Sequence, residues 1–94
     1  MQKLIDDIIQ SSNIKNPIRY YLNGGCYIFA KKLRELNPDV ELIYLLREYH
    51  FVVKYDDKLY DVTGNVTNKY RGSTYITEEE FLRRKKLAST IEKE

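Results

Sequence analysis

Tyr49-His50-Phe51-Val52-Val53-Lys54-Tyr55-Asp56-Asp57-Lys58-Leu59-Tyr60-Asp61-Val62-Thr63 is the stretch on which the fold turns. Residues 49–55 are aromatic and β-branched, which suits a half-buried pleated surface. Asp56-Asp57-Lys58 reads as a turn, and 59–63 as the returning strand, closed by Gly64-Asn65. The length of the turn fixes the register. With two turn residues, Asp56 and Asp57, Tyr55 pairs with Lys58 and Val52 lies opposite Asp61. His50 and Asp61 are then diagonal neighbours on one face. With three turn residues the register slips by one and Asp61 moves to the other face.

Upstream of the hairpin, Val40, Leu42, Tyr44 and Leu46 alternate with Glu41, Ile43 and Leu45, the period of a strand. Asn37-Pro38 separates that strand from a helix running from Cys26 to about Leu36. Cys26, Phe29, Ala30 and Leu33 recur at helical spacing and share one apolar face. Gly24-Gly25 ahead of them suits a tight turn, through positive φ or through close backbone approach. Leu4, Ile5, Ile8 and Ile9 make residues 1–12 a short amphipathic helix. Asn16-Pro17 restarts the chain for one irregular helical turn before Asn23.

Downstream, residues 65–75 are polar and tyrosine-bearing, either a loop or a weak extra strand at 73–76. Thr77-Glu78-Glu79-Glu80 is a capping box that opens a last helix. Glu79 with Arg83 and Glu80 with Arg84 have the spacing of helical ion pairs. Phe81, Ala88 and Ile91 give that helix only a sparse apolar stripe. The fold class is α+β: N-terminal helices, one opening with Cys26, on a small antiparallel sheet of about three strands, plus a C-terminal helix. Residues 1–94 read as a single domain, with 77–94 as a peripheral helix.

The single cysteine excludes an intrachain disulfide and fits a reducing compartment such as cytoplasm. No stretch has the length and apolarity of a membrane span. A net charge of +2 does not by itself imply nucleic acid. Arg83-Arg84-Lys85-Lys86 with Tyr70, Arg71 and Tyr75 is the one basic, aromatic cluster, and acids on the same helix offset much of its charge. One Cys and one His do not supply a zinc-ligand spacing, and nothing calls for a cofactor. Nine tyrosines against three phenylalanines and no tryptophan suit half-buried sheets, clefts and interfaces.

Three residues form a candidate catalytic set. Cys26 opens a helix, where free N–H groups and the macrodipole favour a thiolate nucleophile. His50, the only histidine, would take and return the proton, and Asp61 would fix its tautomer. Oxyanion and substrate-binding positions fall at Asn23, upstream of the glycine pair, and at Tyr27, beside the sulfur at the helix start. Each residue also has a plain structural reading. Cys26 is then a small buried hydrophobe, His50 a strand-edge side chain, and Asn23 a turn residue. Asp61 becomes a strand-end acid capping a turn with Thr63 and Gly64.

Gly24-Gly25-Cys26-Tyr27 with Phe29-Ala30, then His50-Phe51-Val52-Val53, then Tyr60-Asp61-Val62-Thr63-Gly64, resembles the papain-like cysteine hydrolase superfamily. The similarity covers about residues 23–64 and is nearest to short papain-fold-like proteins and toxin domains of bacteria and phages. It implies a Cys-opened helix packed on a sheet, with Cys26 as nucleophile, His50 as general base and acid, and Asp61 as the orienting residue. The chain departs from the larger enzymes in having no second lobe and no upstream glutamine at the oxyanion position. Two functions follow. One is a thiol hydrolase or acyltransferase on an amide or thioester of a protein or peptide. The other is a non-catalytic module on the same fold that binds a host protein. A nucleic-acid module ranks below both, and the cytoplasm of a bacterium or infected cell is the expected location.

Overall fold

In the computed structural model, residues 1–92 are described, with side chains through residue 87. Three helices precede the sheet: α1 (Gln2–Ser11), α2 (Pro17–Leu22) and α3 (Cys26–Leu36). Five strands follow, β1 (Glu41–Leu45), β2 (His50–Tyr55), β3 (Lys58–Asp61), β4 (Gly64–Asn65) and β5 (Tyr75–Thr77), then α4 (Glu78–Glu92). The class is α+β, with five strands where about three were expected. Every pairing is antiparallel, in the order β4-β3-β2-β1-β5.

The additional strands are short. β4 is two residues long, and β5 spans Tyr75–Thr77, starting two residues later than the weak strand expected at 73–76 and pairing Tyr44 with Ile76 beside β1. Both are pinned by few hydrogen bonds, so neither leaves a long alternating pattern to read.

The hairpin turn has the two-residue form. Tyr55 pairs with Lys58, Lys54 with Leu59 and Val53 with Tyr60. Asp56 and Asp57 sit at φ 52° and 61°, the paired left-handed geometry that matches the twist of the flanking strands. Aspartate tolerates that region because its short side chain bonds locally. β3 ends at Asp61 rather than at Thr63, because the Thr63 N–H and hydroxyl both turn back to Asp61 Oδ1.

The sheet is covered on both sides. Leu42, Phe51 and Val53 join Ile5, Ile8, Tyr21, Phe29, Ala30 and Leu33 in the helix-side core. Ile43, Leu45 and Val52 pack on the other side with Val66, Leu59 and Tyr70. The polar 65–74 segment is therefore the lid of a second small core. This is why β1 is apolar on both faces.

α4 begins as expected, with the Glu80 N–H donating to Thr77 Oγ1 at 3.2 Å. Its ion pairs differ: Arg83 and Arg84 both pair with Glu80, and Arg83 does not use Glu79. Phe81 docks the helix by packing on Tyr44 and Phe51, with ring centroids 4.6 and 4.8 Å away. The side chains of Ala88 and Ile91 lie outside the described residues. Among the described residues, no helix is long and apolar enough to cross a membrane.

Candidate active site

Cys26 is the first residue of α3, and Gly25 is its N-cap, with no side chain bonding the helix end. The two glycines ahead of the sulfur differ in need. A Cβ on Gly25 would sit 2.4 Å from the Tyr20 ring, while one on Gly24 would meet nothing within 4 Å. Gly25 therefore serves close approach, not positive φ. The Tyr20 carbonyl accepts the Gly25 N–H at 2.9 Å, which fixes how the chain enters α3.

His50 is the first residue of β2, paired with Leu45 at the end of β1. Its Nε2 lies 3.1 Å from Asp61 Oδ2, so the two-residue turn does put the pair on one face. The same imidazole acts on the Cys26 thiol through hydrogen bonding and charge, and with Asp61 on Nε2 its other ring nitrogen, Nδ1, is the one left for the sulfur. The chain thus brings Cys26, His50 and Asp61 together from three elements. His50 is 6% exposed and Asp61 2%.

Asp61 divides its two oxygens between both readings of that residue. Oδ2 takes His50, while Oδ1 accepts the Thr63 N–H at 2.8 Å and the Thr63 hydroxyl at 2.5 Å. The turn cap and the imidazole partner are one carboxylate.

The neighbouring residues in sequence lock the two halves. Tyr27 follows Cys26, Phe51 follows His50, and their rings stack with centroids 4.5 Å apart and planes 18° from parallel. The start of α3 is thereby tied to the start of β2. The backbone amides of Tyr27 and Phe51 also bond the Cys26 sulfur. Phe51 was missed at the sequence level, because only the fold shows that its N–H reaches the thiol.

These contacts set the charges. Burial pushes the Cys26 thiol up, but the bond and charge of His50 and the two backbone amides outweigh it, and the net shift is downward. Burial pushes His50 down, yet Asp61 and Cys26 raise it to about 9. Burial likewise opposes the Asp61 carboxylate, and bonds from His50 and Thr63 bring it below the ordinary value. Cys26 is thereby more acidic than a free thiol and His50 more basic than a free imidazole, the two directions that favour a thiolate–imidazolium pair beside the Asp61 carboxylate.

Asn23 and Tyr27 have other engagements. Asn23 Nδ2 donates to the Arg19 carbonyl at 2.6 Å and closes the end of α2. Asn23 also lines a hollow of about 440 Å³ with Asn16, Arg19, Tyr20 and Gly24, a space that neither Cys26 nor His50 lines. The Tyr27 hydroxyl donates to Glu78 Oε2 at 2.5 Å, away from the sulfur. The part of Tyr27 that faces Cys26 is its backbone N–H.

Beside His50 is a depression of about 270 Å³, lined also by Leu22, Glu48, Tyr49, Lys69 and Tyr70. The Tyr70 ring approaches His50 to 6.1 Å between centroids, carried there by the 65–74 segment. The Cys26 residue itself is 9% exposed.

The family described as phage YunG-like protein matches residues 1–91. The chain belongs to the phage YunG-like family. No curated protein and no solved structure matches it. Membership accords with the expected phage or bacterial setting, and the match reaches every described helix and strand, ending within α4.

Proposed function

We propose that this phage YunG-like chain is a small papain-like thiol hydrolase or acyltransferase. It would act on an amide or thioester of a protein or peptide. The observation that carries this reading is the 3.1 Å contact of His50 Nε2 with Asp61 Oδ2, made by an imidazole that also bonds the Cys26 thiol. A buried His–Asp pair costs desolvation, and a plain core would use apolar residues there. Serving a thiolate accounts for the pair.

The steps follow from the charges. The Cys26 thiolate attacks the carbonyl carbon, and the Tyr27 and Phe51 amides that hold the sulfur stay beside the reacting centre. The imidazolium gives its proton to the leaving nitrogen or sulfur as that bond breaks, leaving a thioacyl Cys26. Neutral His50 then takes a proton from water or an acceptor amine, which attacks the thioacyl carbon and frees the thiolate. Asp61 keeps the imidazole oriented and stabilises its charged form throughout.

The test uses p-nitrophenyl acetate, an activated acyl donor. The wild type should release a burst of nitrophenolate and carry one acetyl group on Cys26 by mass spectrometry. Iodoacetamide should alkylate the sulfur well below the ordinary thiol pKa of about 8.5, and His50→Ala should slow it at least tenfold. Labelling only near pH 8.5, indifferent to His50, would retire the reading.

A second reading rests on the low exposure of Cys26, 9%, against 80% for the nearby Tyr49. In that reading the same fold is a binding module for a host protein, and its contact surface is aromatic. A well-folded Cys26→Ala protein that keeps its full cellular effect would select it.

A further inference from the structure

The start of α3 lacks the device that most often fixes a helix start. Its N-cap is Gly25, no side chain bonds the free N–H groups there, and a second glycine precedes it. Such backbone is loosely set on its own, because glycine restricts φ and ψ least. The Tyr20 carbonyl holds the Gly25 N–H, too early in the chain to fix Tyr27. Yet the Cys26 sulfur, on the first residue of this helix, takes hydrogen bonds from the Tyr27 and Phe51 amides. Something other than a cap must hold Tyr27 where its N–H meets the sulfur.

The Tyr27 side chain supplies that hold. Phe51 stacks on its ring at 4.5 Å between centroids, and Lys31 Nζ lies 4.6 Å over the same ring. The hydroxyl at the far end donates to Glu78 Oε2 at 2.5 Å. Glu78 is steadied in turn from two directions. Arg34 grips its carboxylate at 2.6 and 3.3 Å. Phe81, three residues on and so on the same face of α4, packs edge to face with Phe51, 4.8 Å between centroids. One turn of α4 therefore reaches both residues whose amides meet the sulfur, Tyr27 through Glu78 and Phe51 through Phe81. A part-exposed ion pair adds little stability, so anchoring α4 is a poor account of a network aimed at Tyr27.

We infer that Glu78 is a positioning residue for the Cys26 sulfur: by holding the Tyr27 phenol it sets the Tyr27 backbone amide that bonds the sulfur. Without the acid the phenol is untied, the helix start loosens, and the sulfur keeps less of that amide. The thiol then loses a contact that favours its charged form. The inference deepens the thiol-hydrolase reading and rests on it only for calling the sulfur a nucleophile. A helix that reads as peripheral in the sequence thus belongs to the site.

The test is the pH midpoint of Cys26 alkylation by iodoacetamide, which reads the acidity of the sulfur rather than its access. Glu78→Ala should raise that midpoint by about half a pH unit or more, in a protein that still melts cooperatively. Tyr27→Phe keeps the ring that stacks on Phe51 and removes only the hydroxyl. It should raise the midpoint equally, and the double variant no further. Glu78→Gln should not raise it, since the amide oxygen still accepts from the phenol. Glu80→Gln is the control. It takes the same charge from the same helix, breaks the pairs with Arg83 and Arg84, and should not raise the midpoint either. None of these variants touches the other titratable groups around the sulfur, which are His50, Asp61 behind it, and Tyr44. The sign excludes a plain charge effect, because removing an acid favours a thiolate and would lower the midpoint. An unmoved or lowered midpoint in Glu78→Ala, an unmoved one in Tyr27→Phe, or additive shifts in the double variant would overturn the positioning. So would a rise in Glu78→Gln or Glu80→Gln as large as that in Glu78→Ala. Any of these, with p-nitrophenyl acetate still acetylating wild-type Cys26, leaves the hydrolase reading intact. The expected shifts without any acetylation of the wild type would retire the hydrolase and leave the role of Glu78 standing.

Discussion

Asp61 and Glu78 each bind two partners, and they do different work. Asp61 joins His50 and Thr63 in the interior, with the carboxylate and imidazole side chains 2% and 7% exposed. Glu78 joins Arg34 and Tyr27 near the surface, with side chains 20% exposed for the acid and 40% for the arginine. The Arg34 contacts are two-pronged, at 2.6 and 3.3 Å. The two carboxylates engage in three hydrogen bonds each. The Glu78 cluster fastens α4 to α3 and offers no nucleophile. Burial makes the difference, because a low-dielectric site converts hydrogen bonds into controlled protonation, and water at the surface screens the same bonds.

The largest expected effect breaks the buried cluster. Asp61→Ala leaves His50 without its acceptor and the Thr63 donors unpaired, and should destabilise the fold by about 3–5 kcal/mol. Glu78→Ala should cost no more than about 1 kcal/mol, spent on fraying α4. Urea melts of both variants at neutral pH measure the contrast. Equal losses would mean that burial is not what separates them.

The next effect is on pH dependence. His50 moves from an ordinary 6.5 to about 9, so the folded state holds a proton that the unfolded chain releases. That stabilisation is complete below pH 6.5 and is lost as pH rises through about 9. The lowered Cys26 acts in the opposite sense. Its contribution is complete above the ordinary thiol pKa of about 8.5 and is lost as pH falls through the lowered folded value. Where the two windows overlap, the slopes have opposite sign, so wild-type stability should vary less with pH than His50 alone would make it. Cys26→Ala keeps only the His50 slope, weakened by loss of the thiolate but still supported by Asp61. Its stability should fall above about pH 6.5, by at most about 1.4 kcal/mol per pH unit. Parallel profiles for the two proteins would remove the thiolate–imidazolium pair.

The buried cluster was legible in the sequence to an unusual degree, and the surface cluster was not. Asp56-Asp57 allowed a two-residue turn, and that turn carried His50 and Asp61 to one face. Period and side chain sufficed for Cys26, whose helix face recurs at Phe29, Ala30 and Leu33. Glu78, by contrast, is separated from Arg34 by 44 residues and from Tyr27 by 51, with no strand register linking them. Its acid looked like one of three at a helix start. Tyr27 was expected as an oxyanion or substrate-binding residue at the start of α3, and its phenol instead donates to Glu78 on α4. Nor did sequence reveal the cover on the second sheet face, since Val66 and Tyr70 are isolated apolar residues in a polar run.

A smaller effect sharpens the surface half of the comparison. Tyr27 is raised to about 12, first by burial and then by its bond to Glu78 and the charge of that acid. Glu78→Gln removes the charge and keeps the size, so the Tyr27 phenol should ionise at lower pH while remaining above 10, its ordinary value. Ultraviolet titration of phenolate absorbance reads the shift. No movement would show that burial alone sets the value.

The smallest effect concerns burial with no partner at all. Tyr21 is 1% exposed, packed on Phe29 with ring centroids 5.4 Å apart, and among the described residues nothing bonds its hydroxyl. If burial strengthens only those polar groups that find partners, this one is a net cost. Tyr21→Phe keeps the ring and its packing and removes the unbonded oxygen. It should leave stability unchanged or raise it by about 1 kcal/mol, against the loss expected at Asp61. Thermal melts and urea midpoints measured side by side suffice. Destabilisation by more than about 1 kcal/mol would mean that a buried water bonds the phenol. Tyr21 would then belong with Asp61, as a buried polar group that has its partner.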